Sequence, residues 1–110
     1  MTVNVLGVKY RIYEKTVSED NYLTDMDGYC DKTSKRIVIR KKDDDCQLDD
    51  FDVYRRKILR HEIIHAFLFE SGLHENWKHD QWGHDETSVD WFAAQFPRLR
   101  IAFEQVGCAD

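Results

Sequence analysis

Several features that would assign a protein to a broad class are scarce or absent in this sequence. The three cysteines are an odd number and no two of them form a Cys-x-x-Cys pair, so we expect reduced thiols and no disulfide framework. No apolar run is long enough to span a membrane, and the N-terminus lacks the charged start and apolar core of a signal peptide. The net charge of −5 argues against general nucleic-acid binding, which needs a basic surface. These absences predict a cytoplasmic protein that binds neither membranes nor nucleic acid directly.

The composition is that of an ordinary folded protein. Hydrophobic residues make up 42% and charged residues 34% of the 110 residues, and a chain of this length can bury one modest core. No internal repeat or low-complexity segment divides it. We therefore expect residues 1–110 to form a single domain.

The N-terminal part of the chain predicts a small β-sheet. Residues 3–15 alternate between apolar and polar side chains, with Gly7 as a bulge or bend within the strand. Residues 29–31 and the β-branched run 35–40 are separated by a polar turn, which is the pattern of a hairpin. The sequence therefore predicts three strands.

The rest of the chain predicts helices. Apolar residues recur at helical spacing across residues 48–72, where Gly72 suits the left-handed residue that ends a helix. Residues 85–96 carry a second apolar stripe. Pro97 lacks a main-chain donor, so it predicts the end of that helix and the start of a third, up to residue 106. The predicted fold class is α+β: a three-stranded sheet with a hairpin, then the long helix and two C-terminal helices.

One motif in the long helix carries chemistry. His61, Glu62 and His65 form the pattern His-Glu-x-x-His. Because each helical residue turns by about 100°, the two histidines project from one face, one turn apart. Two such imidazoles can bind one Zn²⁺, which lowers the pKa of a bound water, and the adjacent carboxylate can take its proton. The motif therefore predicts a hydrolase site with Glu62 as the catalytic residue.

The third zinc ligand decides the class of site. A metzincin needs Gly and His at the positions that Leu68 and Ser71 occupy, which excludes that class. An acid on a later helix would instead complete a His₂Glu site, and Glu86 lies 21 residues after His65 at the head of the next predicted helix. Asp90, one turn further on, could orient a ligating imidazole through a hydrogen bond. The predicted zinc ligands are the two motif histidines and Glu86.

Two segments resemble the ImmA/IrrE family of small metallopeptidases. That family pairs His-Glu-x-x-His with a later helix that begins E-x-x-A-N-x-F-A-A and closes on a proline, and the corresponding residues here are Glu86, Phe92-Ala93-Ala94 and Pro97. The departures are Val89 for Ala, Asp90 for Asn and Phe96 for Leu. The resemblance covers the C-terminal half of the chain. It implies a zincin fold with a sheet edge beside the cleft, and a role in phages or mobile elements, where relatives cleave a partner transcriptional repressor.

A histidine is the alternative third ligand. The loop between the first two predicted helices, residues 73–85, holds His74, His79 and His84. SprT-like zinc proteases, which this part of the chain also resembles, take a third histidine from such a loop, and His79 has the right reach. If Glu86 is the ligand, His84 or His79 could instead stabilise an oxyanion.

The preferred hypothesis is a gluzincin-like metallopeptidase. An extended protein or peptide substrate would lie along residues 35–40 as the edge strand of the sheet, and Glu62 would deprotonate the attacking water and return the proton to the leaving amine. The alternative from another class is a non-catalytic adaptor module that keeps zinc for stability. Three ligands beside a glutamate favour an open, catalytic position.

Overall fold

The computed structural model describes residues 1–43, 46–76 and 86–110, with the backbone alone described for residues 76, 86, 89, 90 and 93. Within these ranges the chain forms four strands, two long helices and two short 3-10 helices. The strands are β1 Thr2–Val5, β2 Val8–Lys15, β3 Gly28–Asp31 and β4 Arg36–Arg40. The long helices are α1 Phe51–Glu70 and α2 Glu86–Gln105, and the 3-10 helices are Asn21–Thr24 and Leu73–Asn76. The predicted α+β class is confirmed.

β1 and β2 form a tight antiparallel hairpin where the sequence predicts one strand. Val5 pairs with Val8, and the two residues between them, Leu6 and Gly7, have positive φ angles of 52° and 89°. A two-residue turn of this kind matches the twist of paired strands. The Asn4 side-chain oxygen accepts a hydrogen bond of 2.7 Å from the Gly7 N–H. The three-stranded prediction is therefore wrong, because Gly7 belongs to a complete chain reversal rather than a bulge.

The four strands form one mixed sheet in the order β1-β2-β4-β3. β2 and β4 are parallel, and β3 and β4 form the predicted antiparallel hairpin. β4 is an interior strand, with Ile37, Val38 and Ile39 all buried, as expected where both faces are covered. The prediction of residues 35–40 as an edge strand is therefore wrong. Among the described strands, the edges are β1 and β3.

α1 covers one face of the sheet and has the ends that the sequence predicts. It begins after Asp50, whose side chain accepts a hydrogen bond from a first-turn N–H. Ser71 and Gly72 follow its last residue, and Gly72 has a φ angle of 81°. The residues that α1 buries in the core are Leu59, Ile63, Ala66 and Phe67.

Two contacts fix α1 on the sheet. A Cβ on Gly28 of β3 would lie 3.1 Å from Cγ2 of Ile58 and 2.9 Å from a main-chain oxygen of β4, so glycine permits the close approach. At the other end, the Glu70 carboxylate accepts hydrogen bonds from the Tyr10 hydroxyl at 2.7 Å and the Lys35 ammonium at 2.6 Å. These contacts set the distance of α1 from the sheet and its orientation, and α1 carries the motif.

α2 is one helix where the sequence predicts two. Pro97 lies inside it, and its missing N–H and its ring cost about 3 kcal/mol in a helix interior. The helix continues because both halves pack on the core: Leu99 and Ala102 are buried, and Trp91 packs against the same cluster. Burying one leucine side chain offsets about 1.5–3 kcal/mol of that cost.

In the described part of the chain, no helix combines the length and the apolar character needed to cross a membrane.

Candidate metal centre

The two motif histidines point from the same face of α1, as predicted. The Nε2 atoms of His61 and His65 are 3.1 Å apart, and their ring centroids are 4.8 Å apart. Two nitrogens that each lie about 2.0–2.1 Å from a tetrahedral ion are about 3.3 Å apart. The observed spacing therefore fits two ligands of one metal ion with little movement of either ring.

His65 is held in the state that binds metal. Burial, together with the nearby imidazoles of His61 and His74, lowers the pKa of His65 below its usual value. The ring is therefore neutral at pH 7, and only a neutral imidazole offers a lone pair to an ion. The ring of Phe69 stacks beside His65 at 6.2 Å between centroids, and His74 meets Phe69 edge-on at 4.7 Å.

Glu62 is a buried acid next to the exposed imidazole of His61 and the half-buried imidazole of His65. It is 4% exposed, and burial raises the pKa of its carboxyl to about 7. Among the described residues, none donates a hydrogen bond to this carboxylate. An acid with a pKa near neutrality can both accept and return a proton, which is what general acid–base catalysis at pH 7 requires. The burial and the position of Glu62 suit the catalytic role that the motif predicts.

Cys30 of β3 lies on the sheet face that α1 covers. It packs against the core, and burial, followed by the negative charge of Glu62, raises the pKa of its thiol to about 12. The thiol is therefore neutral at pH 7. A neutral, half-buried thiol packs as a small apolar group and does not act as a metal ligand.

A groove of about 570 Å³ follows β3 and is bordered on the helix side by Phe69 and His74. We call it the edge groove. Phe69, which stacks on His65, belongs to its lining, so the groove lies next to the motif through this one ring, although no motif residue lines it. The residues that line it are Tyr22, Met26, Tyr29, Cys30, Asp31, Lys32, Thr33, Arg36, Phe69 and His74.

The remaining predicted site residues lie outside the described side chains. Glu86 is the first residue of α2 and Asp90 lies one turn further on, but only their backbones are described. His79 and His84 lie outside the described residues altogether. The choice between Glu86 and a loop histidine as third ligand therefore stays a prediction.

Sequence reasoning did not place Phe69 and Cys30 beside the site, and it named His74 without its contact. Phe69 follows His65 by four positions, so helical spacing could have placed its ring beside the imidazole. His74 was considered only as one of three loop histidines, and its contact with Phe69 depends on the 3-10 helix after α1. Cys30 lies near Glu62 because of how α1 packs on β3. The sequence carries no signal for that packing.

The described side chains of His61, Glu62 and His65 place one ligand atom each within 4.8 Å of one another, a grouping that could hold a metal ion. In comparisons with protein-family models, curated proteins and solved structures, nothing matches this chain.

Proposed function

We propose that the protein is a zinc-dependent peptidase with a zincin-like active site. The observation that carries the proposal is the pair of imidazoles with Nε2 atoms 3.1 Å apart and a buried carboxyl on the adjacent residue. The spacing supports a shared ion, and the burial of Glu62 supports a proton-transfer role beside it.

The donor set favours zinc over harder cations. Two imidazole nitrogens and one carboxylate suit zinc, whereas Mg²⁺ and Ca²⁺ prefer all-oxygen sites. A zinc ion bound here would polarise a peptide carbonyl and lower the pKa of water. His61 is exposed in the described part of the chain, which supports a position that remains open to substrate.

The chain's own residues supply the proton transfers. Glu62 accepts a proton from the attacking water, because its carboxylate form is substantially populated when its pKa is about 7. It then donates that proton to the leaving amine as the peptide bond breaks. The neutral form of His65 keeps its ring nitrogen available as a ligand throughout.

Glu86 remains the preferred third ligand. The indole N–H of Trp91 donates a hydrogen bond of 3.0 Å to the hydroxyl of Ser71, just beyond the end of α1. This bond joins the first turns of α2 to the part of α1 that follows His65, and so supports a ligand from the start of α2. Asp90 would then orient one imidazole. A loop histidine, His79 or His84, is the alternative.

The substrate strand is assigned to β3 rather than to residues 35–40. The Arg40 N–H donates to the Asp27 carbonyl at 2.8 Å, and hydrogen-bonded pairs alternate along an antiparallel ladder. The main-chain groups of Gly28 and Cys30 therefore point away from β4. An extended peptide added at this edge would lie along the edge groove. By the resemblance noted above, a transcriptional repressor is the first protein substrate to test.

The first test is metal content. Elemental analysis of protein purified without added metal should find about one zinc per chain in the wild type and in His79→Ala. We expect the zinc to be lost in His65→Ala and in Glu86→Ala. Loss of zinc in His79→Ala with retention of zinc in Glu86→Ala would show that the third ligand is a loop histidine rather than Glu86. Absence of zinc in every protein, even after reconstitution, would contradict the proposal.

The second test separates catalysis from metal binding. In Glu62→Gln we expect hydrolysis of a quenched-fluorescence peptide library to fall by about 10²–10⁴-fold, the range of general acid–base catalysis, with zinc content unchanged. Glu104→Gln, on an exposed glutamate near the end of α2, is the matched control and should keep the wild-type rate. An unchanged rate in Glu62→Gln would remove this residue from the mechanism, and zinc without hydrolysis would favour the adaptor hypothesis.

A further inference from the structure

Arg36 is a charged side chain in the edge groove that forms no hydrogen bond through its Nε atom with any described residue. This Nε atom is buried. Within the described ranges, no carboxylate lies within ion-pair distance of its guanidinium. A buried N–H of a charged group is costly when unpaired, so this geometry is that of a donor whose acceptor arrives with a ligand.

The acids nearest to Arg36 are already engaged. Asp31, opposite Arg36 in the β3–β4 ladder, accepts hydrogen bonds from the main chain and hydroxyl of Thr33 at 2.9 and 2.6 Å. Asp20 accepts from the Tyr29 hydroxyl and from the main chain of Tyr22. The positive charge of Arg36 helps to lower the pKa of Asp20, but neither carboxylate accepts a hydrogen bond from the buried Nε atom.

Arg36 would face every second side chain of a peptide strand added along β3. Ile37 faces α1 and the core, so its neighbour Arg36 faces the opposite side of the sheet. Cys30 and Phe69, by contrast, lie on the side of α1 and of the metal centre. Successive side chains of a peptide along β3 would therefore meet an apolar wall and then Arg36.

We propose that the edge groove selects peptides carrying an aspartate or glutamate next to an apolar residue, with Arg36 binding the acidic side chain. The guanidinium forms a charge-assisted, bidentate hydrogen bond with the carboxylate. The adjacent apolar side chain lies against Cys30 and Phe69. The inference rests on the proposed peptidase function, because it names the substrate class of that site.

Blocked octapeptides of alanine and serine test the proposal, with one apolar residue fixed and the neighbouring position varied among Glu, Gln and Lys. Blocking both ends removes the terminal carboxylate, so only a side chain can supply the acid. Cleavage is measured as kcat/KM, and binding is measured separately by fluorescence anisotropy on Glu62→Gln, which does not need turnover.

We expect Glu to exceed Gln by about 10–100-fold in both assays, from the strength of hydrogen bonds to charged groups. Arg36→Gln should remove this preference, and Arg36→Glu should reverse it toward Lys. Arg11→Gln is the matched control, because Arg11 lies beside Arg36 in the β2–β4 register but outside the groove lining. It should behave as wild type.

The two assays distinguish the failure of each proposal. Binding with an acidic preference but no cleavage of any peptide would retain the role of Arg36 and overturn the peptidase function. Cleavage with equal kcat/KM for Glu and Gln would overturn the role of Arg36 and retain the peptidase. Neither binding nor cleavage of any peptide would overturn the groove as a peptide site.

Discussion

Two glutamates of α1 illustrate how surroundings decide the role of a carboxyl group. Glu62 is buried without a hydrogen bond from any described residue, and burial raises its pKa to about 7. Burial also raises the pKa of Glu70, but hydrogen bonds from Lys35 and Tyr10 outweigh it and hold the pKa below its usual value. Glu70 is therefore a permanent anion that ties α1 to the sheet, whereas Glu62 is able to exchange a proton at neutral pH.

Asp31 gives the turn between β3 and β4 a predictable dependence on pH. Hydrogen bonds from Thr33 and Ser34 hold its pKa well below its usual value. A lowered folded-state pKa stabilises the protein above the unfolded value of about 3.9, and this contribution is lost as pH falls. In urea unfolding, the stability advantage of the wild type over Asp31→Asn should therefore shrink between pH 5 and pH 2.

Thr33→Val, which removes one of the hydroxyl donors to Asp31, should show a smaller effect of the same sign. An advantage over Asp31→Asn that stayed constant across this pH range would mean that the turn is stabilised by packing rather than by the carboxylate.

The packing of α1 on β3 depends on one glycine. A methyl group at residue 28 would approach a main-chain oxygen of β4 to 2.9 Å and Ile58 to 3.1 Å. Overpacking of this kind costs about 1–3 kcal/mol, so Gly28→Ala should lower the free energy of unfolding by that amount in a denaturant titration. Thr2→Ala, on the exposed start of the opposite edge strand, should change it by less than about 0.5 kcal/mol. Equal effects of the two substitutions would show that β3 can move away from the helix.

The elements differ in how far the sequence determines them. The limits of α1 follow from its periodicity and from Gly72, and the shared face of His61 and His65 follows from helix geometry. The β1–β2 turn was missed because the alternation of side chains continues through it, and because Leu6 is not a residue that signals a positive φ. The interior place of β4 did have a signal, since an apolar run without alternation, residues 37–39, is typical of a strand covered on both faces.

The packing of elements that are distant in sequence could not be predicted from local sequence patterns. The single helix around Pro97 depends on the burial of both halves of α2, which local sequence does not report. The approach of Cys30 to Glu62 depends on how far α1 is displaced along the sheet. These are tertiary effects, and they override the local preference of the residue concerned.

At the scale of the whole molecule, an ion bound at the proposed metal centre should stabilise the fold. An ion that binds only the folded chain adds about 2.7 kcal/mol when its free concentration is 100 times its Kd, which is about 10 °C or more in Tm for a protein of this size. We expect chelation to lower Tm by this amount and zinc to restore it. His65→Ala should have the same Tm with and without zinc, and Glu104→Gln should respond as the wild type does. A wild-type Tm that chelation left unchanged would contradict a bound ion.

The order of the strands also has a consequence for the route by which the chain folds. Each edge of the sheet is a hairpin whose strands are neighbours in sequence, whereas the central parallel pair joins Arg11 to Arg36. Closing a short loop costs less entropy than closing a long one, and non-local pairing is the slower event. The sheet thus consists of two local hairpins joined by one non-local strand pair. The pairing of β2 with β4, rather than the formation of either hairpin, therefore governs the rate of folding.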